Sequence, residues 1–249
     1  MKFPIIFAHR GANYFAPENS IPAFEKALNL GCDGVELDVR LCGSGEVVVF
    51  HDRFTHRLTG YYGNIHNLSL SKIQKLGLGH TREKIPTLDE ILELLNRKVL
   101  INIDVKKDFF SKNDIEEKII RRLKSHNLKE NIIISSFNPG VLKKFARLYP
   151  DISNGYIFRN KSSMMFLNGH SVQSLHARYQ ILDKKYIRNL TNRANDIYAW
   201  TVDEVKSMLE QIQNGIHGII SNRPELFLQI KEKILNENIN INQLVVEYT

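Results

Sequence analysis

Cysteine is scarce in this chain, which has only Cys32 and Cys42 among its 249 residues. Two cysteines have neither the number nor the spacing of a disulfide framework or of a structural zinc site. We therefore expect both thiols to be buried or half-buried packing groups.

Long hydrophobic runs are also missing. No apolar stretch approaches the roughly 20 residues that a membrane-spanning helix needs. The opening stretch from Phe3 to Ala8 is shorter than the core of a signal peptide, which has about 7–15 apolar residues. It also runs directly into His9 and Arg10, so cleavage there would remove chemically capable residues. The sequence predicts a protein that has no transmembrane segment and acts in the cytoplasm.

Acidic residues are fewer than basic ones. The chain has 34 Lys and Arg against 27 Asp and Glu, a formal charge of +7. The basic residues are scattered, and no interleaved aromatic residues or nucleic-acid-binding motif accompany them. We therefore expect a solvated surface that favours anionic small molecules, and no nucleic-acid partner.

Apolar, β-branched segments alternate with segments of helical periodicity along almost the whole chain. Such alternation indicates parallel strands joined by crossover helices, and eight strands in a chain of this length match an α/β fold, the (β/α)8 barrel. The strand candidates are Ile5–Ala8, Gly34–Arg40, Glu46–His51, Val99–Lys106, Asn131–Phe137, Asn154–Phe158, Ile197–Val202 and Gly218–Ser221. The sequence predicts one barrel domain over residues 1–235 and a C-terminal extension over 236–249.

Three segments depart from a regular barrel. The connection Leu41–Gly45 is too short to hold a helix, so a hairpin or a distorted barrel is expected at strands two and three. Ser174–Ala177 is a ninth strand candidate for eight places. Residues 53–84 form a long excursion, which we expect to lie over the strand ends. In the extension, Leu244 to Val246 could dock on the barrel or on another subunit, which leaves a homo-oligomer open.

Paired carboxylates stand out in the second strand candidate. Glu36 and Asp38 are two residues apart, so both side chains leave the strand on one face. Inside a barrel they would need a cation, and oxygen ligands favour Mg²⁺ or Ca²⁺ over zinc. Alternatively, this face is simply the solvent face of a half-exposed strand.

Asp104 and Lys106 repeat this spacing in the fourth strand candidate. They could supply a third metal ligand and a cation that holds phosphate, or they could form a plain surface ion pair.

Two histidines each close an apolar run. His9 and His51 titrate near neutrality and can exchange protons, and Arg10 offers a planar fork of donors that fits phosphate oxygens. Asp52 could orient a histidine or cap the following turn. Trp200 ends a late strand and either walls a pocket or packs in the core.

These residues stand within a series of motifs that runs from residue 5 to about residue 228. The series is Ala8-His9-Arg10-Gly11-Ala12, Ala16-Pro17-Glu18-Asn19-Ser20, Gly34-Val35-Glu36-Leu37-Asp38-Val39, Val49-Phe50-His51-Asp52, Ile85-Pro86-Thr87-Leu88, Asp104 to Lys106, Trp200-Thr201-Val202 and Asn222-Arg223-Pro224. In this order and spacing, the chain resembles the glycerophosphodiester phosphodiesterases.

The resemblance implies a (β/α)8 barrel that hydrolyses glycerophosphodiesters to glycerol 3-phosphate and an alcohol with one divalent cation, Mg²⁺ or Ca²⁺. By the same resemblance, the metal ligands are Glu36, Asp38 and Asp104. The implied acid/base pair is His9 and His51, and the phosphate is held by Arg10 and Lys106. From its position at the end of a late strand, Trp200 is our further candidate for the substrate pocket.

The chain departs from the family pattern in three places, one of which is the extension from about residue 236, which lies beyond the resemblance. Asp104 stands where Glu is usual, and Gly215 to Gly218 and Ser221 to Pro224 lack the usual aspartates. We expect the loss of these aspartates to alter a structural hydrogen bond or the pocket wall rather than the chemistry.

Two rival functions remain open at this stage. One is a lysophospholipase D-type activity on acylated diesters, with an apolar groove walled by Phe54, Tyr61, Tyr62, Met164, Met165 and Phe166. The other is a catalytically silent barrel that binds phosphodiesters or an anionic surface through its positive charge.

Overall fold

Eight parallel strands close into a barrel in the computed structural model, which describes residues 3–79, 81–108, 111–167, 169–236 and 239–248. The strands of the sheet are β1 (Ile5–His9), β2 (Gly34–Leu41), β3 (Val47–Val49), β4 (Leu100–Val105), β5 (Ile132–Ser136), β6 (Ser153–Phe158), β7 (Ser174–Arg178), β8 (Asp196–Trp200) and β9 (Gly218–Ser221). Around the barrel the order is β1-β2-β4-β5-β6-β7-β8-β9, and β9 pairs with β1. The predicted (β/α)8 barrel is confirmed.

The irregularity expected after the second strand is a hairpin. β3 pairs antiparallel with β2, with Val49 opposite Val39, and takes no place in the barrel wall. A short turn can join antiparallel strands, whereas a parallel pair needs a crossover of a dozen or more residues. The segment Glu46–His51 therefore supplies only a short hairpin strand. The ninth strand candidate, Ser174–Ala177, takes the remaining place in the barrel as β7.

Helices cover the outside of the barrel. They are α1 (Ile21–Leu30), α2 (His56–Thr59), α3 (Leu70–Ile73), α4 (Leu88–Leu95), α5 (Ile115–Ser125), α6 (Pro139–Leu148), α7 (Lys184–Thr191), α8 (Val205–Asn214), α9 (Pro224–Asn236) and α10 (Ile241–Glu247). The bounds of α1 follow from its sequence. The Ser20 side chain accepts a hydrogen bond from the backbone N–H of Ala23, and Gly31 ends the helix at a φ of 79°, a left-handed conformation that favours glycine.

The excursion after β3 has a small core of its own. It contains α2, a 3₁₀ turn at Ile65–Asn67 and α3, and its apolar side chains pack on Val48 and Phe50 of the hairpin. Arg57 reaches back from α2 to the end of β1 and the hairpin, where it bonds Glu18 and Asp52. The excursion is therefore tied to the segments that follow β1 and the hairpin.

The C-terminal extension forms α10, which packs on α8. Leu244 is completely buried in the same apolar cluster as Ile212 and Phe227. Gln213 also donates a hydrogen bond to Asn242 at 2.9 Å. Among the residues described, no helix is long and apolar enough to span a bilayer.

Leu244→Ala tests whether this docking stabilises the barrel. We expect the free energy of unfolding to fall by about 2–4 kcal/mol, since the change removes buried methyl groups and leaves a cavity. Urea unfolding followed by circular dichroism measures it. Leu235→Ala is the matched control, because Leu235 is 54% exposed on α9. Equal small effects from both variants would contradict the docking.

Candidate functional site

All eight residues that the sequence singles out for the site line one cavity at the carboxyl ends of the barrel strands. We call this space, of about 100 Å³, the mouth cavity. The strand register brings the site residues together, since Glu36 pairs with His9 on β1, and Asp38 pairs with Asp104 on β4. The lining residues are His9, Arg10, Glu36, Asp38, His51, Asn102, Asp104, Lys106, Phe137, Ile157, Arg159, His176, Trp200, Thr201 and Ile220.

The three carboxylates form a buried cluster. Glu36, Asp38 and Asp104 are 5%, 1% and 3% exposed, and each offers an oxygen within 4.8 Å of the others. Glu36 and Asp38 therefore do not lie on a solvent face, and Asp104 and Lys106 do not form a surface ion pair; both alternatives are wrong. Both failed because Glu36, Asp38 and Asp104 point into the mouth cavity.

Two cations balance one of these carboxylates. Lys106 Nζ lies 2.9 Å from Asp38 Oδ1 and also contacts Asp104, while Arg10 Nε lies 3.1 Å from Asp38 Oδ2. Burial opposes ionisation of Asp38, but the charges of Lys106 and Arg10 outweigh it and lower its pKa. Burial likewise disfavours the Lys106 ammonium, yet Asp104 and Asp38 raise its pKa. Asp38 and Lys106 therefore stay ionised.

Glu36 and Asp104 ionise less readily than Asp38, although Lys106 also contacts Asp104. Burial and the charges of Asp38 and Asp104 raise the pKa of Glu36 well above its usual range, and burial raises the pKa of Asp104. Asp104 Oδ1 is buried without a hydrogen-bond partner in the described part of the chain. Three converging carboxylate oxygens fit a hard divalent cation.

Asn222 fixes the orientation of His9. Its side-chain oxygen lies 2.7 Å from His9 Nδ1, while its amide nitrogen donates to Asp203 at 2.7 Å. Because the Asn222 oxygen only accepts, neutral His9 carries its proton on Nδ1 and leaves Nε2 bare. Nε2 points toward Glu36, 3.8 Å away. Burial and the charge of Arg10 lower the pKa of His9 to about 4.

His51 has a charged partner instead. Its Nδ1 lies 2.6 Å from Asp52 Oδ1, and Asp52 is held in turn by Arg57. The backbone oxygen of His51 accepts a hydrogen bond from Arg40 Nε at 2.8 Å. Asp52 therefore orients a histidine, the first of the two possibilities open from sequence.

Aromatic side chains wall the far side of the mouth cavity. Trp200 meets Phe137 edge to face at 5.6 Å and donates from Nε1 to the backbone oxygen of His176 at 2.9 Å. Arg159 lies over both rings, 5.3 and 5.9 Å from their centroids. Trp200 is thus half-buried at the pocket wall, not within the core.

Sequence reasoning missed several residues of the site. Asn222 and Asp203 position His9, and His176 is a buried wall residue whose pKa burial lowers to about 3, so it stays neutral. The available signal was position, because Asn222 follows β9 and Asp203 follows β8, as His9 closes β1. None of the six residues expected to wall an apolar groove lines the mouth cavity within the described chain.

Fold and site together define a barrel enzyme, since polar groups gathered at the carboxyl ends of the strands are where (β/α)8 barrels carry out catalysis. Over residues 9–226 the sequence matches the Glycerophosphoryl diester phosphodiesterase family. The chain belongs to this family, which confirms the resemblance seen in the motifs.

Individual relatives match nearly end to end. A glycerophosphodiester phosphodiesterase of Caldanaerobacter subterraneus is 34% identical, covering 92% of this chain and 98% of its own. The structure of an Oleispira antarctica phosphodiesterase in complex with the product sn-glycerol-3-phosphate is 26% identical, with a TM-score of 0.85 over 92% and 97% of the two chains. The glycerophosphodiester phosphodiesterase of Thermotoga maritima is 29% identical, with a TM-score of 0.75 over 92% and 99%.

Proposed function

We propose that this protein hydrolyses glycerophosphodiesters to glycerol 3-phosphate and an alcohol with the help of one divalent cation, Mg²⁺ or Ca²⁺. The observation that carries the proposal is the single cavity in which three buried carboxylates face two histidines. Glu36, Asp38 and Asp104 would hold the ion. When bound, it withdraws charge from the phosphate oxygens. The names of the relatives support the same substrate class.

The phosphate would be held by two of the cationic side chains that line the cavity, Arg10 and Lys106. Arg10 is anchored by Glu18, whose Oε1 accepts from Nη1 at 2.8 Å, and by the nearby Asp38. Lys106 stands between Asp38 and Asp104. Both side chains are therefore positioned before substrate arrives, so little conformational entropy is lost when they donate to phosphate oxygens.

The hydrogen-bond partners of the histidines divide the acid and base roles. His9 faces a neutral amide and keeps Nε2 bare, so it accepts the proton of the attacking hydroxyl, from water or from the substrate's own glycerol. His51 faces the Asp52 carboxylate, which favours its imidazolium form, while burial and the charges of Lys106 and Arg10 lower its pKa overall. A protonated His51 would therefore give its proton readily to the leaving alcohol oxygen. A new P–O bond forms as the bond to the leaving alcohol breaks.

Asn222→Leu tests the positioning of His9. We expect kcat to fall by about 10–100-fold, with little change in KM, because the imidazole loses the acceptor that fixes its tautomer and direction. Steady-state kinetics with a glycerophosphodiester measure kcat and KM separately. Asn242→Leu, at an exposed asparagine of α10, is the control. An unchanged kcat in Asn222→Leu would show that Asn222 does not position His9 for catalysis.

Release of glycerol 3-phosphate, detected with a coupled dehydrogenase, tests the proposed reaction. Glycerophosphoglycerol and lysophosphatidylcholine are compared at equal concentration with Mg²⁺ and with Ca²⁺, and choline release is measured for the second. The proposal expects glycerol 3-phosphate from the first substrate. Turnover of lysophosphatidylcholine alone, giving lysophosphatidic acid and choline, would favour the lysophospholipase D alternative. Binding without turnover of either substrate would favour a silent barrel.

A further inference from the structure

A second cavity of about 190 Å³ adjoins the mouth cavity and shares Asp104, Lys106 and Phe137 with it. We call it the Arg40 chamber. Its remaining walls come from β2 and from the ends of β4 and β5: Arg40, Val105, Lys107, Asp108, Ser136 and Asn138. None of these six remaining residues has a role in the hydrolysis proposed above.

Arg40 is a charged residue of this chamber that has an unused hydrogen-bond donor. It lies two residues beyond Asp38 on the same face of β2, and it is only 9% exposed. Nε donates to the backbone oxygen of His51, but the buried Nη1 has no hydrogen-bond partner among the residues described. A buried donor without a partner is costly, so Nη1 is available to a ligand.

The other charges around the chamber have ion-pair partners, and Asp104 shares Lys106 with Asp38. These pairs are Lys106 with Asp38 at 2.9 Å, Lys107 with Glu116 at 2.8 Å, and Asp108 with Arg53 at 3.6 Å. In addition, α6 begins at the chamber wall, where the Asn138 side chain accepts from the Gly140 N–H at 2.9 Å. The amino end of a helix carries partial positive charge. The chamber therefore presents two features to an incoming anion: the unpartnered Arg40 Nη1 and the amino end of α6.

In a bound glycerophosphodiester the scissile phosphate would occupy the mouth cavity, and the glycerol half carries no charge. Any anion in the Arg40 chamber must therefore belong to the leaving alcohol. We propose that the Arg40 chamber binds a second phosphate group on the leaving alcohol. The preferred substrates are then glycerophosphodiesters whose alcohol bears a further phosphodiester. This inference rests on the proposed function and narrows its substrate class.

Two substrates that differ only in this group test the preference. Bis(glycerophospho)glycerol and glycerophosphoglycerol share the same scissile linkage, but only the first places a phosphate on the leaving alcohol. We expect kcat/KM to be about tenfold or more higher for the first, mainly through KM. Its two equivalent ends account for about twofold on statistical grounds, so a ratio of two or less overturns the inference.

Asn138→Asp then places a negative charge in the chamber and keeps the cap of α6, since aspartate caps a helix as well as asparagine does; it loses the long bond of 3.5 Å from the Asn138 amide to the Lys107 backbone oxygen. We expect it to remove most of the preference for bis(glycerophospho)glycerol and to leave glycerophosphoglycerol within about twofold. Arg40→Gln is expected to lower the same ratio. Arg122→Gln, on the outer helix α5 beside Asp89, makes an equal change in net charge away from the chamber and should keep the ratio.

The outcomes separate this inference from the function on which it rests. If Asn138→Asp and Arg40→Gln change both substrates equally, the chamber binds no anion and Arg40 serves only the His51 backbone. If wild-type protein releases glycerol 3-phosphate from neither substrate with either metal, the proposed function fails and this inference fails with it.

Discussion

Alanine at His9 or at His51 is expected to lower kcat by about 10²–10⁴-fold, the usual contribution of a proton-transfer group. Each imidazole lies at the cavity wall rather than in an apolar cluster, so removing it leaves the core packing intact. Kinetics of glycerol 3-phosphate release measure the loss, and thermal unfolding verifies the fold.

His126→Ala is the matched control for these two variants. His126 ends α5 on the outside of the barrel, 3.3 Å from Asp89, and its loss should leave kcat unchanged. Substantial activity in both His9→Ala and His51→Ala would contradict the acid/base assignment. A large loss in only one of them would leave a single proton-transfer step at this site.

Glu36→Gln is expected to change stability in opposite directions with and without metal. In EDTA the variant should unfold at a higher temperature than wild type, because ionised Glu36 is buried beside Asp38 and Asp104, which raise its pKa. The amide keeps the shape, and its oxygen still accepts from the Arg10 backbone N–H. With Mg²⁺ or Ca²⁺, wild type should gain stability by binding the ion, whereas the variant should gain little.

The pH dependence of this effect follows from the direction of the shift. Below the ordinary glutamate pKa of about 4.3, Glu36 is protonated in both folded and unfolded chains, and the variant has no advantage. As pH rises toward the raised pKa, folded wild type must hold a proton or an unfavourable charge, so its metal-free stability falls relative to the variant. Calorimetry from pH 5 to 8 measures this difference, with exposed Glu25→Gln on α1 as control. A variant that is less stable than wild type in EDTA would show that Glu36 is not strained by charge.

Much of the architecture could be predicted because strand and helix periodicities are local. The helices α1 and α4 each begin at a local capping side chain, Ser20 and Thr87, which can be recognised from sequence. Local sequence could not decide whether β3 or β7 takes a place in the barrel wall. That choice depends on which edge each strand pairs with, and the only clue was the short connection from Leu41 to Gly45.

Some residues of the candidate site could likewise be predicted from local sequence, and others could not. Glu36 and Asp38 could be placed on one face from their spacing alone, and the motif series added their neighbours. The partner of His9 could not be found, because Asn222 lies 213 residues away along the chain and meets it only when β9 closes the barrel on β1. Arg40 was equally hidden, because its unpaired nitrogen is a property of packing rather than of sequence.

Metal titration of EDTA-treated protein, followed by glycerol 3-phosphate release from a glycerophosphodiester, tests the central claim most directly. Our account predicts no release without metal, with activity restored by Mg²⁺ or Ca²⁺ and saturating at one ion bound per chain. It also predicts that Glu36→Gln needs far more metal for the same rate. Undiminished release in EDTA, or no release with either ion, would contradict the account.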